Sequence, residues 1–169
     1  MLSKELETDF LNNLNANQHI LNKICFIYGS CNEGREDLRQ EIVLQLWKSY
    51  ESFGGKAKFS TWMYRVALNT ALTNIKRRSL NFRSTSFPEP FDIEEPESDL
   101  SEEIRLLYLA ISQLNKIDKA VILLWLEEYS YEEIANIIGT TVKNISVKLV
   151  RIKSKLGEII LKLQGNENV

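Results

Sequence analysis

Apolar residues recur along this chain at intervals of three and four, the spacing that puts them on one face of a helix. Leu6, Phe10 and Leu14 mark a first helix, and Ile20, Leu21, Ile24, Ile27 and Tyr28 a second, more buried one. The stretch from Gly29 to Gly34 breaks the run. A third helix is expected to start near Arg35, turning Leu38, Ile42, Leu46 and Trp47 inward and leaving Asp37, Arg39, Gln40, Glu41 and Lys48 on a polar face. Phe53 to Phe59 then forms a loop that is rich in glycine, basic and aromatic at once, after which Ser60 can cap a fourth helix. In that helix Trp62, Val66, Asn69 or Thr70, and Thr73 share one flank, and Met63, Ala67, Ala71 and Ile75 another.

The pattern resumes at Ile104, Leu107, Tyr108 and Ile111, and Lys116 to Leu126 predicts a further amphipathic helix with Ile117, Val121, Leu124 and Trp125 inward. Two helices hinged at Gly139 follow. Ser130 can cap the first through its hydroxyl, with Glu133 returning the bond, and Ile134, Ala135 and Ile138 share a face. Glycine tolerates the left-handed geometry that ends a helix, and Thr140 or Thr141 offers a fresh cap at once. Val142, Ile145, Leu149, Ile152 and Leu156 give the last helix one buried stripe, leaving Lys143, Asn144, Ser146, Lys148, Arg151 and Lys155 outside it. A helix-turn-helix whose second helix is basic has the pattern of an element that enters a DNA groove. An ordinary helical hairpin with a solvated basic face has the same pattern.

Charge separates these readings better than the total does. The net charge is −2, but residues 84–103 hold eight acids and no base, so the remainder carries +6. From Ser52 to Pro88 there are seven bases and no acid, and from Thr140 to Leu156 five bases and no acid. Two separate basic surfaces are what a polyanionic partner requires. All three prolines fall in the acidic stretch, where they remove helix donors and favour extended geometry. The expected architecture is therefore all-α, with two small helical domains at residues 2–83 and 101–163 joined by an acidic linker at 84–100. The linker is either simply solvated or a shield for the basic faces.

Several function classes drop out. No stretch has the roughly 18 uninterrupted apolar residues of a bilayer span, and acidic Glu5, Glu7 and Asp9 do not fit a signal peptide, so a cytoplasmic protein is expected. Cys25 and Cys31 have no metal-ligand spacing to the single histidine, His19, and read as reduced structural thiols; no metal or other cofactor is expected. Neither a nucleophile with a base nor a phosphate-cradling glycine motif is visible, so the chain reads as no enzyme.

Asp37-Leu38-x-Gln40-Glu41, then Phe59-Ser60-Thr61-Trp62-Met63-Tyr64-Arg65-Val66-Ala67-x-Asn69, then the acidic linker and Tyr131-Glu132-Glu133-Ile134-Ala135 resemble the extracytoplasmic-function branch of bacterial sigma factors. The resemblance implies that the first domain binds core RNA polymerase and captures the minus-ten promoter element, and that the second reads the minus-thirty-five element. It assigns Asp37, Gln40 and Glu41 to the polymerase. It implies a strand-holding role for the loop at Phe53 to Phe59 and the helix after it, where Lys56, Phe59, Arg65 and Asn69 are the fitting residue types for the separated minus-ten strand, with Lys76, Arg77 and Arg78 on phosphates; Trp62, an aromatic at helical spacing, reads as support. On the upstream duplex the candidates are Thr141, Lys143, Asn144, Lys148 and Arg151, from the exposed face of the last helix and its start. An anti-sigma partner is implied as well. The recognition helix departs from the family pattern, with Ser146 where a basic residue is usual and Val147 where a small polar one is. Two alternatives stay open: a stand-alone helix-turn-helix regulator, and a sigma-like interaction protein that does not read promoters.

Overall fold

A computed structural model describes residues 3–29, 31–81 and 101–166, with side chains at 3–29, 31–74 and 101–165. Among the described residues there are eight α-helices and no strand: α1 (Lys4–Ala16), α2 (Gln18–Tyr28), α3 (Asn32–Phe53), α4 (Phe59–Asn81), α5 (Glu102–Ser112), α6 (Lys116–Leu126), α7 (Tyr131–Ile138) and α8 (Val142–Asn166). The all-α expectation holds. Helices α1–α4 make one compact unit and α5–α8 a second. The predicted acidic linker lies outside the described residues.

In the first unit α3 packs along α4, and α2 lies against both. Ile20, Leu21, Ile24 and Ile27 of α2, Leu38, Ile42 and Leu46 of α3, and Met63, Ala67 and Ala71 of α4 are buried. Tyr64 and Leu68 join them and had not been expected inside. Tyr64 reaches the core without stranding its hydroxyl, which accepts from Lys23 Nζ at 3.4 Å. Burial of Lys23 in turn lowers its pKa from the ordinary lysine value.

Two helix starts differ from expectation. Helix α3 begins at Asn32 rather than near Arg35, because extended Cys31 caps it through Sγ, which accepts from Gly34 N–H at 3.3 Å. Gly34 is thereby buried in the first turn instead of breaking the chain. Helix α4 begins at Phe59, its early backbone bond running from Trp62 N–H to the Lys58 carbonyl at 3.2 Å, so Ser60 lies inside the first turn and is not the cap. Ring packing of Phe59 on Trp62 and Phe53 accompanies that start.

In the second unit α8 runs beside α5, α6 and α7. Helix α6 is apolar over more of its circumference than an amphipathic reading allows: Ala120 to Leu124 are all buried, whereas Ile117 and Trp125 are only partly so. Ile104 remains 40% exposed because it lies in the first turn of α5, ahead of the buried Ala110 and Ile111.

The two thiols have opposite environments. Cys25 is buried and Cys31 exposed, and burial pushes the Cys25 thiol up to about 11. Maleimide is expected to modify Cys31 in the native protein and Cys25 only on unfolding, as read by peptide mapping after timed labelling. Equal native rates would contradict this placement.

Candidate nucleic-acid interface

Helix α7 is set at both ends by local chemistry. Ser130 Oγ accepts from Glu133 N–H at 3.2 Å while Glu133 Oε2 accepts from Ser130 N–H at 2.8 Å, a reciprocal cap worth about 1 kcal/mol. At its other end Gly139 adopts φ +82°, and the N–H groups of Gly139 and Thr140 both donate to the Ala135 carbonyl at 2.9 Å. Thr141 then caps α8, its Oγ1 accepting from Asn144 N–H at 3.2 Å. Three residues thus separate the two helices, and the buried Ile134 and Ala135 lie on the inner side of α7.

Ile145, Leu149, Ile152 and Leu156 are buried as expected, whereas Val142 is 40% exposed because it sits in the first turn, before the stripe. The opposite face of α8 carries Lys143, Asn144, Ser146, Val147 and Arg151, all exposed, together with Val150, which the sequence reading did not single out and which is 70% exposed. Helical spacing puts Lys143, Val147, Val150 and Arg151 on one strip. Cations on such a strip suit phosphates and guanine edges, and valines suit the thymine methyl group. Asn144 Nδ2 donates to Thr140 Oγ1 at 3.1 Å, an exposed bond.

Lys148 is placed differently from its predicted neighbours. Its Nζ lies 3.5 Å from Asp118 Oδ1 on α6. Asp118 is itself fixed in the first turn of α6, where its N–H donates to Asn115 Oδ1 at 2.9 Å and its Oδ2 accepts from Asn115 Nδ2 at 2.7 Å. Lys153 also turns toward α6, with its ammonium 4.0 Å over the Trp125 ring. Among the bases of the predicted set, Lys143 and Arg151 therefore hold the outer face and Lys148 holds a flank.

The first unit assembles its candidate site around a turn. Gly54 and Gly55 both have positive φ, +58° and +66°, which returns the chain within a few residues and leaves Lys56, Ala57 and Lys58 exposed. Beneath that turn lies a cluster of rings. Phe53 and Trp62 are 4.7 Å apart, Phe59 and Trp62 5.4 Å, and Phe53 and Phe59 5.9 Å edge to face. Phe59 and Trp62 are both half-buried, so packing does not separate a contact residue from a support as the sequence reading did. Arg65 and Asn69 are exposed on α4; the side chains of Lys76, Arg77 and Arg78 lie outside the described residues.

Asp37 and Gln40 are exposed and Glu41 half-buried on α3, with Glu41 Oε1 accepting from Gln45 Nε2 at 2.9 Å. Glu41 also borders an open groove of about 410 Å³ between α3 and α4, whose other lining includes Gln45, Lys48, Asn69 and Thr73. The structure thus brings together Glu41, assigned to the polymerase, and Asn69, assigned to DNA.

Residues 14–80 match the Sigma-70 region 2 family and residues 104–156 the Sigma-70, region 4 family. The chain is 32% identical over 134 residues to the ECF RNA polymerase sigma-E factor of Haemophilus influenzae, with 71% of each protein covered. The chain belongs to the extracytoplasmic-function sigma factors. This sigma factor is also 34% identical over 149 residues to ECF RNA polymerase sigma factor SigG of Mycobacterium tuberculosis, covering 72% of this chain but spanning only 40% of SigG. Two solved structures share the fold. RpoE of Bartonella quintana, in complex with the anti-sigma factor NepR, superposes with TM-score 0.73 at 22% identity over 94% of this chain and 98% of that one. CnrH, in complex with the cytosolic domain of CnrY, gives 0.61 at 19% identity over 91% and 88%. The region 2 match starts late in α1, and α8 continues past the end of the region 4 match. No helix among the described residues is long and apolar enough to cross a membrane.

A Cβ added at Gly139 would meet nothing within 4 Å, so its requirement is torsional and not steric. Gly139→Ala is expected to destabilise this sigma factor's second unit by about 1 kcal/mol and Gly139→Asn by less, measured by urea unfolding. Equal costs for both would point to packing instead.

Proposed function

We propose that this chain directs RNA polymerase to a subset of promoters and helps open them. The observation that carries the reading is the outer face of α8, where Lys143, Asn144 and Arg151 flank exposed Val147 behind a tight helix-turn-helix. Family membership supports the division of labour: the first domain, residues 2–83, on core polymerase and the minus-ten element, and the second, residues 101–163, on the minus-thirty-five element. Asp37, Gln40 and Glu41 face the polymerase in this reading. Lys56, Phe59, Arg65 and Asn69 hold the separated strand, a task that calls for cations beside aromatic rings, with Lys76, Arg77 and Arg78 on its phosphates. The chain acts in the cytoplasm and performs no catalysis of its own. That RpoE was solved with the anti-sigma factor NepR supports an anti-sigma partner here as well.

Ser146 and Val147 set this chain's upstream preference apart from relatives with a basic residue at the first position. Serine offers a short hydroxyl and valine an apolar surface, a pair that favours thymine contacts over guanine bidentates. Transcription in vitro with core polymerase and a promoter library randomised upstream is expected to select thymine at one or more positions opposite Val147. A library with no selection, or none transcribed, would return the weight to the stand-alone regulator or the non-reading interaction protein.

Lys143→Ala and Arg151→Ala are each expected to weaken upstream duplex binding by holoenzyme about 10-fold, as for a lost base or close phosphate contact. Lys148→Ala should weaken it by less than about 3-fold, because its ammonium is turned to the α6 flank beside Asp118 and away from the strip of Lys143 and Arg151. Equal losses at all three positions in a filter-binding titration would contradict the placement of Lys148.

A further inference from the structure

Tyr50 lies where helix α1 meets the basic turn. Its hydroxyl donates to Asp9 Oδ2 at 2.5 Å and accepts from Asn13 Nδ2 at 3.2 Å, while Asn13 Nδ2 also contacts the Asp9 carbonyl at 3.0 Å. On the α1 side, the Phe10 ring lies 5.0 Å from both Tyr50, edge to face, and Trp47, tilted. On the other side, the Tyr50 ring meets Phe53 at 6.1 Å, Trp62 at 6.1 Å and Phe59 at 6.2 Å. Phe53 and Phe59 bracket the turn that exposes Lys56 and Lys58, and Trp62 packs on both, so the three rings form a floor at the ends of that turn. Tyr50 is 5% exposed, Asp9 lies on the surface, and both Asp9 and Phe10 precede the stretch that matches region 2.

A buried phenol must donate its proton, and the acceptor decides how the ring is held. Burial and then the bond to Asp9 raise the Tyr50 pKa above its ordinary value; the phenol is protonated at neutral pH in any case and donates to the carboxylate. The carboxylate acceptor makes this bond stronger than one to a neutral group. Aromatic rings in contact also restrict one another, so an orientation imposed at Tyr50 passes directly to Phe53, Phe59 and Trp62.

We propose that α1 is a prop for the strand-holding turn, and that Asp9 is its positioning residue, acting through Tyr50 on the ring floor that fixes Lys56 and Phe59. This rests on the minus-ten reading of the turn. Asp9 does not touch DNA in this account; it sets how well formed the site is before the strand arrives, which lowers the ordering cost of binding.

The test uses holoenzyme made with full-length chain and a single-stranded minus-ten oligonucleotide, with an upstream duplex and core polymerase affinity measured in parallel. Asp9→Ala and Tyr50→Phe are expected to weaken capture of the strand by roughly 5-fold. Asp9→Asn, which keeps an acceptor oxygen, should stay within about 2-fold of the wild type. Upstream duplex and polymerase binding should not change. Hydrogen exchange at residues 55–58 should rise in Asp9→Ala and not in Asp9→Asn. If Asp9→Ala and Tyr50→Phe capture the strand like the wild type while Lys56→Ala and Asn69→Ala do not, the prop is wrong and the minus-ten reading stands. If Lys56→Ala and Asn69→Ala also capture it normally, the minus-ten reading itself falls. Parallel losses of strand capture, polymerase affinity and thermal midpoint would make α1 a general brace and overturn the proposal, with Tyr50→Phe, which keeps every ring contact, guarding against simple misfolding.

Discussion

The helices that carry the candidate contacts, α3, α4 and α8, each turn a buried apolar face inward, and the chemistry of the opposite face follows from that constraint. On α8, Ile145, Leu149 and Ile152 are at most 1% exposed, and each such side chain contributes about 1.5–3 kcal/mol relative to exposure. No rotation of the helix could hide Lys143 or Arg151 without bringing those residues into water. The cost of doing so exceeds anything a surface ion pair would return. The outward display of cations is thus enforced by the core, and the turn at Gly139 only has to aim it. The same constraint acts in the first unit, where α3 and α4 bury Leu38, Ile42, Met63 and Ala67 and leave Gln40, Arg65 and Asn69 outside.

What was legible in the sequence was what local rules decide. The cap at Ser130 and Glu133, the left-handed end at Gly139 and the stripe from Ile145 to Leu156 involve partners within a few residues, and periodicity reports them directly. The resemblance to sigma factors was legible for a related reason, since its motifs are short and their order is linear. Helix starts were less so. Cys31 is a weak capping residue that propensity ranks poorly, and α4 begins one residue before the serine that propensity favours, where Phe59 packs on Phe53 and Trp62.

The engagement of individual side chains was not legible. Lys148 looks equivalent to Lys143 and Arg151 in the sequence, yet Asp118, thirty positions away, holds it to the flank. The ring cluster draws on Phe10, Trp47, Tyr50, Phe53, Phe59 and Trp62, spread over three helices, and no window of helical length contains them all. Val142 and Ile104 fit the apolar spacing but lie in first turns, where the neighbouring helices no longer cover them. Each of these outcomes depends on which element packs over which, information that periodicity does not hold.

In the proposed function, two modest basic surfaces become effective when polymerase holds them in register, a gain of roughly 10²- to 10⁴-fold for linked sites. Fluorescence anisotropy on one duplex carrying both promoter elements, titrated with the chain alone and then with the chain on core polymerase, measures that gain directly. The account predicts weak, strongly salt-dependent binding by the free chain and tightening of at least about 100-fold on polymerase. Tight, sequence-specific binding by the free chain, unchanged by polymerase, would contradict it.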